Sequence, residues 1–554
     1  MTNIKQKIRE QITCAVTAAI KKAGYDAVSF TVETPRERTN GDFSANAAMA
    51  LAKIAKKPPF LLADELKEHI SVDERYIERV EVARPGFINF YLNNEWLYEV
   101  LLLTEKLNDS YGKSNIGEGA RVMVEFVSAN PTGLMHMGNA RGGALGDSIA
   151  RILAFSGFEV TKEFYLNDSG NQIEKFALSL EARYLQLCGI DAPFDEEWYQ
   201  GDDIKDRAAE FLKLHGDKYS GMPAEKRREA LVKFGLEKNI NIMKKTLSDY
   251  RIDYDVWFRE SALYESGEVE ETLKLLQEKG YAYQKEGALW FKSSDDDEKD
   301  EVLVRANGVP TYFAADIAYH RNKFENRGYD KVIDVWGADH HGHVARMKYA
   351  MEALGINPNK LEVVLMQLVR LMRGGEAARM SKRSGKAITL DVLLDEIGID
   401  AARFFFNMRN AGSHFDFDLE LAVQQSNSNP VFYVQYAHAR ICSIIRLLAE
   451  DEILVPPYSG IDAALLKDDA EFNLLRKISE LPDEVSAAAQ TLEPSRLTRY
   501  ATELATEFHS FYNACRVNVE SRKLCDARLK LIDATRITLA NVLKLIAVDA
   551  PEKM

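Results

Sequence analysis

The chain has no apolar run long enough to cross a bilayer, and Met1 to Glu10 is too polar for a secretory leader. Neither a membrane partner nor a secreted fate is expected. Cysteine is scarce: Cys14, Cys188, Cys442, Cys515 and Cys525 are scattered, with no Cys-x-x-Cys pair. That spacing argues against a zinc ribbon and for free thiols in a reducing cytoplasm. Internal repeats and low-complexity tails are also missing. A Walker A loop is absent, because Ser384-Gly385-Lys386-Ala387 lacks the upstream glycine and the closing hydroxyl. Positive charge is in deficit overall. A net charge of -14 counts against indiscriminate nucleic-acid binding. Residues 496 to 544 nevertheless hold nine Lys or Arg against five Asp or Glu, a local basic excess.

What is present reads as three units, within the three or four domains of about 150 residues each that 554 residues suggest. Residues 1–115 form a small α+β unit. An amphipathic helix is predicted from Ile4 to Ala23, with Ile8, Ile12, Ala15 and Ala19 on one face. Strand patterns follow at Ala27 to Val32 and Phe87 to Leu92, and a polar linker covers Asn108 to Glu118. Residues 116–412 open with a strand at Val122 to Val127, a helix at Gly138 to Ser156 and a strand at Val160 to Leu166. Parallel strands joined by a helix imply α/β architecture with a Rossmann-like, doubly wound parallel sheet. The pattern turns helical and charged over about 168–300, which reads as an insertion. Strands resume at Lys331 to Trp336 and Leu361 to Leu371. Residues 413–554 read as helical throughout.

Several residues carry chemistry at these junctions. His136 to Asn139 sits where a strand hands over to a helix, and a helix N-terminus suits phosphate. Gly138 has no Cβ, so a nucleotide can approach its backbone closely. Gly337 and Asp339 follow a predicted strand, the place for a glycine beneath an adenosine and a carboxylate on its ribose, by analogy with dinucleotide folds. The cluster Asp339, His340, His341 and His343 raises a metal reading. Its spacing is not HExxH and no fourth ligand is evident, so no resident zinc is expected. Glu125 interrupts the apolar run Val122 to Val127, a costly position without a partner. Tyr312 and Asp316 stand at i,i+4 and share a helix face.

Two distant segments then combine. Ser128-Ala129-Asn130-Pro131-Thr132-Gly133-Leu134-Met135-His136-Met137-Gly138-Asn139 and Arg379-Met380-Ser381-Lys382-Arg383-Ser384 resemble the HIGH and KMSKS signatures of class I aminoacyl-tRNA synthetases. Asn139 stands in place of the usual second histidine, and Arg379 in place of the first lysine. The flanks resemble arginyl-tRNA synthetases: Ala129 to Gly133, Trp336 to His341, Asn429 to Arg440, Gly41-Asp42-Phe43 and Arg84 to Asn89. The resemblance runs from near residue 20 to the end of the chain.

It implies a catalytic role for His136, Asn139 and Lys382, and ATP binding by Gly138, Gly337, Asp339, Met380 and Ser381. It implies arginine contacts from Glu125, Ser128, Asn130, Tyr312 and Asp316. It makes residues 413–554 an anticodon-binding domain, with Tyr433, Tyr436, Arg440, Tyr512 and Arg516 meeting unpaired bases. Residues 1–115 would touch another part of the tRNA. The implied substrates are L-arginine, tRNA(Arg) and ATP with Mg²⁺, and activation is expected only with tRNA bound. A cytoplasmic monomer is expected. The rival class I specificities fit less well. Zinc-type cysteines for cysteine are missing, and Tyr312 and Asp316 replace the anion-binding arginine pair that glutamate would need. A small nucleotidyltransferase would not need the helical C-terminus, and a non-catalytic tRNA-binding paralogue would not need His136 and Lys382.

Overall fold

The computed structural model describes residues 3–35, 37–293, 300–378 and 388–554. Its central sheet has five parallel strands in the spatial order Leu361–Met366, Lys331–Gly337, Arg121–Glu125, Glu159–Leu166 and Val256–Arg259. Residues Val122 to Val124 are fully buried, as strands covered on both faces require. Strand order reverses at Arg121–Glu125, so a crevice opens beyond the carboxyl ends of this strand and of Lys331–Gly337.

The helix Met137–Phe155 crosses between the first two strands and is buried almost all round. Glycines make that possible. A Cβ on Gly146 would lie 2.2 Å from Phe126 Cγ, and one on Gly143 would lie 2.8 Å from Ile252 Cδ1. Arg141, on the same helix, is buried without a carboxylate. Its guanidinium donates to the backbone oxygens of Gln367, Asn410 and Ser413 at 2.8, 2.9 and 3.1 Å.

The structure departs from the sequence reading in several places. The stretch 168–300 contains strands as well as helices. Val256–Arg259 pairs in parallel with Glu163 to Leu166 and so belongs to the central sheet. Ala282–Lys285, Ala288–Phe291 and Glu301–Val304 form a separate antiparallel sheet. The apolar run Leu361 to Leu371 breaks into two strands. The second, Val369–Arg373, leaves the central sheet to pair with Phe415–Asp418, a strand where helix was expected. In the N-terminal unit, the first strand pattern shortens to Val32–Glu33, which pairs with Ala45 and Ser44. Helix Ile4–Lys22 buries Val16 rather than Ala15.

Beyond Phe415–Asp418 the chain is helical, with Pro430–Glu450, Asp469–Ser479, Leu481–Thr491, Ser495–Ala514 and Arg522–Leu545 packed together. The C-terminal tail returns to the catalytic unit. Arg403, fully buried, donates to Ile546 O at 2.8 Å and Tyr250 O at 3.0 Å, and pairs with buried Asp147 at 2.6 Å. Arg251 reaches Ala547 O at 2.8 Å and Asp549 at 2.6 Å. Ending the chain at Leu545 would orphan a buried Arg403 donor, at a cost of about 1–3 kcal/mol. Thermal unfolding of that truncation should fall below the full chain by several degrees. An unchanged midpoint would mean that the tail is not part of the packed structure.

Candidate active site

The strand Arg121–Glu125 ends in a turn that few side chains tolerate. Val127 has φ +71° and Ser128 φ +41°, a left-handed conformation rare for a β-branched residue. Ser128 Oγ holds the turn, donating to Glu125 Oε1 at 2.9 Å and accepting from Tyr165 N at 3.2 Å. Asn130 donates to Gln172 at 2.5 Å. The chain then reaches exposed His136 at the helix N-terminus. Asn139 Oδ1 accepts from His136 N at 3.0 Å, so the residue that replaces a histidine caps the helix with its oxygen. Its amide nitrogen keeps donors for a ligand. A Cβ on Gly138 would meet no atom within 4 Å, so no protein neighbour demands a glycine there.

The chain past the later motif, from Ile388, packs against the same turn. Met137 N donates to Ile388 O at 3.2 Å and Leu390 N to Met135 O at 3.0 Å, pairing His136 with Thr389. Met380, Ser381 and Lys382 lie outside the described residues. Their flanks, Ala378 and Ile388, line a cavity of about 710 Å³ with His136, Met137 and Leu368. A second cavity of about 590 Å³, lined by Asn130, His136, Asn139, Gln172 and Tyr199, lies on the other side of His136. Gly337 ends its strand beneath Asp339, and a Cβ there would lie 2.3 Å from Asp339 Oδ1. Asp339, His340 and His341 are exposed. Among the described residues no group of three or more His, Cys, Asp or Glu could hold a metal ion.

Tyr312 and Asp316 open the helix Tyr312–Arg321 as the spacing predicted. Tyr312 is exposed, while half-buried Asp316 pairs with His343 Nε2 at 3.1 Å. The sequence reading missed two neighbours. Glu260 is buried and accepts from Tyr165 OH at 2.8 Å and from Ser169, with no cation among its described partners. Burial pushes its carboxyl up, and the charges of Asp316 and Asp168 push the same way. Lys323, fully buried, lies 2.6 Å from Glu125 Oε2 and supplies the partner that Glu125 required. Nothing in the pattern of Asn322 to Asn326 signals an inward lysine.

A third cluster lies on the C-terminal helices. Arg440 stacks on Tyr512 at 4.0 Å and stands 5.5 Å from the Tyr436 ring. Tyr433 and His509 have ring centroids 4.9 Å apart. Arg516 lies past the end of helix Ser495–Ala514 and is exposed. Gln435 faces inward, donating to Asp400 and to Asp549 O.

A reversed-order parallel sheet, a strand–turn–helix bearing His136 and a distant loop returned beside it define a class I aminoacyl-tRNA synthetase catalytic unit. Three family models match in succession: an arginyl tRNA synthetase N terminal domain over residues 4–92, a tRNA synthetases class I (R) catalytic domain over 102–441, and a DALR anticodon binding domain over 434–554. The chain belongs to the arginyl-tRNA synthetase family. It is 57% identical to an arginine--tRNA ligase of Ruminiclostridium cellulolyticum and 55% identical to that of Caldanaerobacter subterraneus subsp. tengcongensis, over the whole of both chains. The arginyl-tRNA synthetase structure of Thermus thermophilus shares the fold, with a TM-score of 0.73 and 24% identity over 99% of this chain and 100% of that one.

Because Asn139 caps with its oxygen, Asn139→Ala should cost about 1 kcal/mol of stability, whereas Asn139→Asp should keep the melting midpoint. Equal midpoints for the two variants in thermal unfolding would contradict the cap.

Proposed function

We propose that this chain ligates arginine to tRNA(Arg) in two steps. An oxygen of the arginine carboxylate attacks the α-phosphorus of ATP, and the bond to the bridging oxygen of pyrophosphate breaks. The terminal ribose 2′-hydroxyl of tRNA(Arg) then attacks the carbonyl of arginyl-adenylate, and AMP leaves. The observation that carries this reading is the pairing of His136 with Thr389, together with the cavity that His136 shares with Ala378 and Ile388, the described residues on either side of the second signature segment.

His136 and Asn139 donate hydrogen bonds to phosphate as charge builds, beside the positive end of helix Met137–Phe155. Lys382 follows the departing pyrophosphate with its ammonium, and Met380 and Ser381 hold the nucleotide beside it. Gly138 leaves open space for the nucleotide, and Gly337 and Asp339 take the ribose. Mg²⁺ enters with ATP as part of that substrate. No covalent enzyme intermediate is needed, since positioning and charge stabilisation carry both steps.

For the amino acid, Asp316 receives the guanidinium with Tyr312 beside it, and Glu125 adds negative charge. Ser128 and Asn130 hold the α-amino and carboxylate end. Tyr433, Tyr436, Arg440, Tyr512 and Arg516 meet the anticodon, and residues 1–115 touch a second part of the tRNA. Domain limits at 115 and 412 and action as a cytoplasmic monomer belong to the same proposal. Five free thiols support the reducing compartment.

ATP–pyrophosphate exchange with each amino acid, with and without bulk tRNA, tests the whole reading. Exchange is expected with arginine alone, and only when tRNA is present. Exchange driven by another amino acid would sink the assignment. Asp316→Asn should raise the arginine KM by about two orders of magnitude and leave the ATP KM near its original value, because one charged partner of the guanidinium is lost. Equal rises in both KM values would remove Asp316 from the arginine site.

A further inference from the structure

Three buried carboxylates form a row across the middle of the central sheet. Asp334 is in register with Glu125, and Glu125 with Glu163, on three adjacent parallel strands. Asp334 and Glu163 have fully buried side chains, and that of Glu125 is 10% exposed. Only Glu125, at the strand's carboxyl end, retains any access to the crevice. Like charges this close are costly without cations. Two permanent cations serve the row. Lys323 Nζ lies 2.6 Å from Glu125 Oε2 and 3.0 Å from Asp334 Oδ1, and Arg327 pairs with Glu163. His320 Nε2 stands 2.8 Å from Asp334 Oδ2, and Tyr319 OH lies between Glu125, at 2.9 Å, and Glu163, with one proton to donate to either. Three acids thus share two permanent cations.

The chain goes out of its way to place Lys323. Helix Tyr312–Arg321 runs into a π-helical turn, Asn322–Asn326, a wide turn often found at functional sites. That turn buries Lys323 completely beneath the strand end. From there one chain of contacts leads outward: Lys323 holds Glu125, Glu125 accepts from Ser128, and Ser128 fixes the left-handed turn before Asn130.

We propose that Lys323 is a positioning residue for arginine. It fixes the carboxylate of Glu125 and the Ser128 turn, and it leaves the row short of one cation, which the substrate guanidinium supplies. This rests on arginine being the substrate. The groups facing Glu125 are Lys323 and Tyr319 from the helix, and Asp334 and Glu163 from the flanking strands. His320 and Arg327 lie behind them. Burial beside Asp334 and Glu163 already pushes the Glu125 carboxyl up against the pull of Lys323. Without Lys323 it rises further.

Lys323→Met should therefore raise the arginine KM in tRNA charging by about 10²-fold near pH 7, with the KM values for ATP and tRNA within about twofold. The arginine KM of the variant should fall with rising pH as Glu125 ionises, while that of the unaltered enzyme stays flat. A variant that melts earlier but keeps the arginine KM and a flat profile would make Lys323 a scaffold residue and overturn the proposal. If Lys323→Met does not fold, Glu125→Gln is compared with Glu125→Gln/Lys323→Met. The two should share one arginine KM, because Lys323 acts through Glu125. A further rise in the double variant would overturn the proposal. Failure of arginine itself to drive exchange in the unaltered enzyme would instead refute the substrate.

Discussion

Two backbone hydrogen bonds, between Met137 and Ile388 and between Leu390 and Met135, join segments about 250 residues apart. The site depends on them. They pin the exit of residues 379–387 against the N-terminus of helix Met137–Phe155, while Ala378 marks the entry at the same cavity. Arg141 reinforces the junction from below, since its guanidinium binds three carbonyls in the loops that flank the second sheet. Among the described residues this arginine bonds to backbone oxygens and so remains cationic beneath the junction. Burial lowers its pKa only to about 10.

Charge counting along the chain overstates the basic surface. Residues 496–544 carry an excess of cations, yet Arg496, Arg528 and Lys530 are spent on Glu484, Glu471 and Glu105 elsewhere in the fold. Arg522 and Arg536 pair within their own helix. Arg440 is different. It is held by tyrosine faces, which orient a guanidinium without neutralising it. An acidic protein can thus present cationic planes to a polyanion at a few chosen points while its remaining charge discourages indiscriminate binding.

The elements that position the nucleotide were legible because their signals are local. Apolar runs gave the strands at 121–125, 159–166 and 331–337 to within a residue or two, and the helical spacing of Leu145, Ile149, Ile152 and Leu153 marked the helix Met137–Phe155. Val256–Arg259 was not legible. It has four residues, one of them charged, and its identity comes only from pairing with Glu163 to Leu166. The turn at Ile388 to Leu390 is likewise defined by a partner far off in sequence. The charge demand of Glu125 could be read from the strand. Its answer, Lys323, could not, because a lysine in a helical pattern reads as solvent-facing until a π-turn rotates it inward. Asn139 looked like a weakened catalytic residue. The cap it forms with His136 gives the amide a structural reason that the motif alone does not contain.

The same strand changes what the insertion is for. Val256–Arg259 leads directly into Glu260, which sits buried against Tyr165 and Ser169 with the charge of Asp316 close enough to raise it. The insertion therefore extends the central sheet and buries a carboxylate at its carboxyl end. On the proposed reading, a guanidinium entering the crevice meets Asp316, oriented by His343, in a setting already rich in negative charge. A neutral amino acid would leave those carboxylates without a cation. Polar mismatch of this kind can reject a competitor by about 10⁴-fold or more. Selectivity of that size is reached at the first binding step, so the residues of the insertion are free to build the site and need not hydrolyse a mischarged product.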